Sequence, residues 1–221
     1  MRVDQHPDLG DTAALRSRLR HVYWIGGGSG AGKSTVAGLI AARCRLRVYS
    51  TDEAMADHAR RCAPEDAPFL RDFAAMDMDE RWVRRTPRAM LESFHWFRGE
   101  GFGLILDDLA RLPREPAVIA EGFRLLPPLL APYLAAPDRA VWLLPTPDFR
   151  RAAFESRGSI GDIPRKTSAP QRALQNLLER DRMFTDRLRE QTGRLGLRAL
   201  QVDCAVTKES LAEQVAQAFG L

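Results

Sequence analysis

Residues 21–35 read His-Val-Tyr-Trp-Ile-Gly-Gly-Gly-Ser-Gly-Ala-Gly-Lys-Ser-Thr, and no other stretch restricts the possible folds of this chain so sharply. An apolar run enters a glycine-rich turn that ends in Lys33-Ser34-Thr35 and opens a run with helical character, residues 36–43. From Gly27 onward the segment satisfies G-x-x-x-x-G-K-[ST], with the strand before it and the helix after it that the motif requires. Glycines let a backbone turn its N–H groups inward into an anion-binding nest. A helix beginning there points its positive end at the same ligand. Gly27, Gly28, Ser29, Gly30, Ala31, Gly32, Lys33, Ser34 and Thr35 are therefore candidate contacts for the phosphates of a purine nucleoside triphosphate. Lys33 can reach the outer phosphates, and the Ser34 hydroxyl suits a Mg²⁺ ligand. The alternative is a flexible glycine-rich turn ahead of a helix.

The rest of the chain alternates strands and helices. Strands are expected at 22–25, 46–49, 117–120, 139–144 and 198–202. Helices are expected at 13–20 (with Asp11-Thr12 as cap), 54–61, 79–84, 88–98, 148–157, 171–193 and 208–219, the last capped by Thr207. Residues 125–134 read as an irregular apolar segment with a short helix. Residues 104–112 present two readings. Leu104-Ile105-Leu106 followed by Asp107-Asp108 looks like a strand ending in an acidic pair, but Phe102, Ile105, Leu109 and Leu112 share one helical face. A crossover between parallel strands needs a dozen or more residues, and the gap to the strand at 117 is too short. The helix is preferred, with Asp107 and Asp108 on its solvated side. The alternation predicts an α/β protein with a doubly wound parallel sheet, whose ligands sit beyond the carboxyl ends of the strands.

That rule turns strand ends into candidates. Asp52 ends the second strand and can accept or orient the hydroxyl of a phosphate acceptor. Ser50-x-x-Glu53 also fits a capping box, which would leave Asp52 a purely local role. Glu121-Gly122 ends the third strand. The carboxylate can serve the Mg²⁺ shell or the acceptor, or simply pair with Arg124, and Gly122 would admit a substrate to the backbone. Arg124 is a candidate for an acceptor anion. Arg150, Arg151 and Arg157 precede a loop at 158–170, expected to be mobile, that adds Arg165 and Lys166. Such cations can close over a transferred phosphoryl group or form a solvated basic face. His58 and His95 are expected on the surface or in packing rather than as ligands. Trp82, Trp96 and Trp142 are expected in the core, although Trp96 and Phe97 could line an acceptor pocket.

Composition narrows the classes. The 221 residues carry a net charge of +4, with arginine supplying nearly all of the basic side. The charge suits a polyanionic ligand but is too mild to argue for nucleic acid by itself. Three widely spaced cysteines (Cys44, Cys62, Cys204) provide neither a zinc site nor a disulfide framework, so a reducing, cytoplasmic setting is expected. No apolar run reaches membrane-spanning length.

On Gly27 to Thr35, and more weakly on Ser50-Thr51-Asp52, Ala120-Glu121-Gly122 and the arginines around 150–166, the chain resembles the small P-loop kinases. These are the shikimate, gluconate and chloramphenicol phosphotransferase types and the nucleoside and nucleotide kinases. The resemblance implies one P-loop kinase domain over residues 1–221 with strand order 2-3-1-4-5. It implies an acceptor-binding region at about 53–115 and a lid at about 148–192. It also implies Mg-ATP as donor, Asp52 as acceptor-binding group or base, and lid arginines such as Arg150 and Arg157 over the phosphates. The expected partner is a small-molecule acceptor (a hydroxylated metabolite, a nucleoside or a nucleotide), with no membrane, nucleic acid unexpected, and a homodimer admitted. Two other classes stay open: an NTPase switch or regulatory nucleotide-binding module, and a kinase acting on nucleic-acid ends. The guanine-reading N-K-x-D of a GTPase is absent, and the positive charge is interleaved with acids rather than laid out as a basic track.

Overall fold

A computed structural model of the chain describes residues 12–156 and 162–221. Five strands form one all-parallel sheet: β1 (Val22–Gly27), β2 (Arg47–Ser50), β3 (Val118–Glu121), β4 (Ala140–Pro145) and β5 (Arg198–Val202), in the order β2-β3-β1-β4-β5. The register aligns the ends that matter. Ile25 and Ser50 both lie opposite Glu121, and Gly27 lies opposite Leu143. The expected doubly wound α/β sheet is what forms.

Successive strand residues point to opposite faces, which divides the core into two layers. Trp24, Val118, Ala120 and Trp142 face one way, with Leu106 and Leu109 of α7 (Phe102–Arg111) and Phe184 and Leu188 of α10 (Pro170–Arg194). Ile25, Ile119, Val141 and Leu143 face the other way, under α2 (Lys33–Cys44) and α11 (Lys208–Phe219). Every residue of β1, β3 and β4 is buried, as for parallel strands covered on both sides. Helix α1 (Thr12–Arg18) begins at the expected place, but the Asp11 part of its expected cap lies outside the described residues. Among the described residues, no helix is long and apolar enough to cross a membrane.

The segment between β2 and β3 is helical: α3 (Met55–Arg61), α4 (Pro68–Ala75), a π-helical turn (Glu80–Arg84), α5 (Pro87–Ser93), α6 (His95–Arg98) and α7. The helix expected at 88–98 breaks at Phe94, whose ψ of 112° is extended. The break lets His95, Trp96 and Phe97 all turn inward. The strand reading of 104–112 fails, because Phe102, Ile105, Leu106 and Leu109 form one buried helical stripe. After β3 come α8 (Pro127–Leu130) and 3-10 turns at Ala131–Tyr133 and Pro137–Arg139. After β4 comes α9 (Pro147–Ser156).

The loop expected at 158–170 is a docked segment from residue 162 on. Its 3-10 turn (Pro164–Lys166) buries Pro164, and Ile163 packs against the cluster of Trp82, Met90, Ala173 and Leu177. The Ser168 N–H and hydroxyl both donate to the Asp79 carboxylate. Asn176 of α10 donates to the carbonyls of Trp82 and Val83, 3.0 and 3.2 Å away. The expected acceptor region and the expected lid are thus packed on each other. Phe184 stacks on Phe97 at 3.8 Å and 7° in the same interface. Phe184→Ala should therefore cost about 3–5 kcal/mol in urea-unfolding stability and Phe184→Leu clearly less. A loss below about 1 kcal/mol would contradict this docking.

Candidate active site

The glycine-rich turn closes between β1 and α2. Gly30 and Gly32 adopt left-handed φ values of 76° and 81°, and Gly32 occupies the helix N-cap with nothing within 4 Å of where a Cβ would stand. No side chain caps α2, so the free N–H groups of its first turn are left for a ligand. Lys33 is buried and folds back on the loop, its Nζ donating to the Gly28 carbonyl at 2.9 Å. Ser34 and Thr35 are exposed on the first turn. A cavity of about 180 Å³ opens beside the loop, lined by Ser29 to Ser34 together with Asp52, Phe123 and Phe154.

Asp52 is half-buried in the turn between β2 and α3. Only one arm of the expected capping box forms: Ser50 Oγ accepts from Glu53 N at 3.4 Å but donates its own proton to Glu121 Oε1 at 2.7 Å. Helix α3 starts later, at Met55. The local capping role therefore falls to Ser50, and Asp52 is directed to the cavity. Glu121 is buried directly behind it, and its second carboxylate oxygen has no hydrogen-bond partner. Burial raises its pKa, against the pull of Ser50, Lys33 and Ser34, and Asp52 pushes the same way as burial. An orphaned carboxylate oxygen near a loop serine fits a hard divalent cation that keeps most of its own waters, as Mg²⁺ does. Among the described residues, no group of three or more His, Cys, Asp or Glu forms a complete protein cage.

Three expected ligand contacts are engaged within the protein. At Gly122 a Cβ would stand 1.7 Å from Thr51 Oγ1, and φ is 146°. The close approach it permits is by the β2–α3 turn, not by a substrate. Arg124 is 2% exposed, donating to the Thr51 carbonyl (3.2 Å), His58 Nδ1 (2.9 Å) and the Gly101 carbonyl (3.3 Å), with its guanidinium 4.0 Å over Trp96. Burial pulls its pKa down to about 10. Held this way, it braces the turn that carries Asp52 instead of meeting an acceptor anion in the cavity. Arg150 is likewise buried, because Pro147 starts α9 immediately after β4 and sets its first turn against the loop. Arg150 Nε donates to the Ser29 carbonyl at 3.2 Å, and the other end of the guanidinium bonds the Thr185 hydroxyl. It supports the loop from behind and is not part of an exposed basic face. Arg157 lies outside the described residues. Arg151, Arg165 and Lys166 are exposed.

Two hydrogen-bond networks were not legible in the sequence. Asp108, expected in solvent, accepts from Tyr49 Oη (3.0 Å), His58 Nε2 (2.7 Å) and Arg61 (2.9 Å). Burial opposes its charge, but these donors hold its pKa below the ordinary carboxylate value. Arginine can only donate, so Arg124 fixes His58 as the neutral Nε2–H tautomer, and burial lowers the pKa of His58. The chain Asp108–His58–Arg124 ends on the carbonyl next to Asp52. In α10, Thr185 donates to the Asp181 carbonyl, and the Asp181 carboxylate accepts twice from Arg180. The available signal was the helical spacing of polar Asp181, Thr185 and Thr192 along an inward stripe with Leu177, Phe184 and Leu188. The three tryptophans are buried as expected, and His95 packs between Phe73, Phe94 and Trp96.

No protein-family model matches the chain, and no curated protein does either. Among solved structures it is similar to an uncharacterized protein from Eubacterium ventriosum, at 15% identity and a TM-score of 0.43, over 90% of this chain and 97% of that one. A likeness of this degree carries no functional inference.

Because burial favours the protonated form of Glu121, its ionisation destabilises the folded state as pH rises through and above the ordinary carboxylate range. Without divalent cation, Glu121→Gln should therefore gain melting temperature over the parent at neutral pH, with the gap closing below about pH 4.5. A gap independent of pH would show that Glu121 is not desolvated.

Proposed function

We propose that this protein is an ATP-dependent phosphotransferase of P-loop kinase type, moving the γ-phosphate of Mg-ATP to a hydroxyl of a small acceptor. The observation that carries the reading is that Asp52 lines the same small cavity as the amide-rich loop from Ser29 to Ser34. A simple nucleotide holder does not need a half-buried carboxylate there. A phosphotransferase can use one, to receive the acceptor's proton.

The loop amides and the first turn of α2 bind the phosphates, and Lys33 is placed to leave the Gly28 carbonyl for their outer oxygens. Ser34 and Glu121 are the residues that would hold Mg²⁺, directly or through water; bound there, the ion would neutralise charge on the β- and γ-phosphates. Asp52 accepts the hydroxyl proton of the acceptor. That oxygen bonds to the γ-phosphorus as the bond from phosphorus to the bridging oxygen breaks, leaving its electron pair on ADP. Arg150 fixes Ser29, and Arg124 fixes Thr51, so the two sides of the reaction are positioned by buried guanidinium groups. Phosphoryl transfer depends chiefly on such positioning and on electrostatics.

Lys33→Ala should abolish ADP release in an acceptor screen, and retained activity would move the chemistry elsewhere. Asp52→Asn should lower turnover by about 10²–10⁴-fold while leaving the calorimetric affinity for Mg-ATP within about twofold. ATP turnover that no acceptor stimulates and Asp52→Asn does not change would instead indicate a nucleotide switch.

A further inference from the structure

The walls of the cavity bear on the chemical class of the acceptor. Apart from the loop itself, its lining consists of Asp52 and two half-buried aromatic rings, Phe123 and Phe154, which come from different elements. Phe123 is backed by other rings. Phe94 stacks on it at 6.5 Å and 28°, and Phe97 meets it edge-on at 5.7 Å, itself stacked on Phe184. The ring is therefore held as a platform. Phe154 is half-buried and, among the described residues, belongs to none of the three core clusters.

Charge narrows the class further. The charged side chains in the lining are Lys33, which belongs to the phosphate loop, and Asp52. Glu121 lies close enough to Asp52 for the two carboxylates to feel each other. Arg124 and Arg150, which follow the ends of β3 and β4, are buried and bonded to the protein. Among the described residues that line the cavity there is no guanidinium, so an acceptor bearing its own carboxylate or phosphate would meet two negative groups there. A neutral acceptor with a flat ring meets two apolar faces instead.

We infer that the acceptor is an uncharged alcohol carrying a planar ring beside its hydroxyl, bound against Phe123 and Phe154 with the hydroxyl toward Asp52. A nucleoside and an aromatic alcohol share this chemistry. The inference rests on the phosphotransferase reading for the reaction but not for the binding.

Calorimetric titration of the full chain, saturated with Mg²⁺ and a non-hydrolysable ATP analogue, tests it. The probes are uridine, benzyl alcohol, ribose and uridine monophosphate, each also assayed for ADP release with Mg-ATP. Uridine or benzyl alcohol should bind at least about 10-fold tighter than ribose, and uridine monophosphate no tighter than uridine. The better of the first two identifies the source of the ring. Phe123→Leu and, independently, Phe154→Leu should weaken ring binding by about fivefold or more, the scale of one lost stacking contact. Phe123→Tyr should restore it, and the affinity for the ATP analogue should stay unchanged in all variants. Uridine monophosphate binding 10-fold tighter than uridine, ribose matching uridine, or leucine variants that bind as the parent does would each overturn the inference. Transfer to ribose without ring binding would overturn it and leave the kinase reading intact. Ring binding with no transfer to any acceptor would uphold the pocket and remove the kinase reading. Neither binding nor transfer would remove both.

Discussion

A charged group taken out of water has to be paired or hydrogen-bonded, and the carboxyl edge of this sheet is built around that requirement. Glu121, Arg124 and Arg150 are each almost fully buried within a few residues of a strand end. Each arginine meets the requirement by bonding backbone carbonyls on loops that the strands deliver to the same place. Arg124 holds the turn after β2, and Arg150 holds the loop after β1. Glu121 is the exception. One of its oxygens is satisfied by Ser50 and the other is left without a partner. Buried groups left in that state are uncommon in folded proteins and mark either strain or an awaited ligand.

Parallel register turns these separate solutions into one site. Because Ser50 and Ile25 flank Glu121 across the sheet, the turns following β1, β2 and β3 emerge side by side. The helical segments inserted after β2 and β4 then pack on each other through Asn176, Ser168 and the Phe97–Phe184 stack. The aromatic cluster built there backs Phe123, so the cavity wall is supported by residues far away in the chain. Two insertions that read as independent units in sequence are one support in space.

The parts legible in the sequence are those fixed by local rules. Strand–helix alternation, the glycine-rich turn and the helical stripe of α7 depend on short spacings, and they formed with boundaries shifted by a residue or two. The parts that were missed depend on partners distant in sequence. Asp108 sits on the polar side of an amphipathic helix, which usually means solvent, yet Tyr49, His58 and Arg61 reach it from the β2–α3 side. Arg124 and Arg150 follow strand ends, where arginine often meets ligand, and only tertiary packing shows that carbonyls and hydroxyls take their donors first. Gly122 reads in the sequence as a point where a substrate could approach the backbone. What approaches is the chain's own Thr51.

The tautomer of His58 makes the turn beside Asp52 sensitive to acid. The imidazole stands between a guanidinium that can only give protons and a carboxylate that takes one, so hydrogen bonds run in one direction from Arg124 to Asp108. A proton added at Nδ1 would remove the acceptor and set two cations face to face inside the protein. Since burial depresses the pKa of His58, the stability it contributes is present above the ordinary imidazole value of 6.5 and is lost as pH falls below it. Acidification that protonates His58 would thus loosen the grip on Thr51.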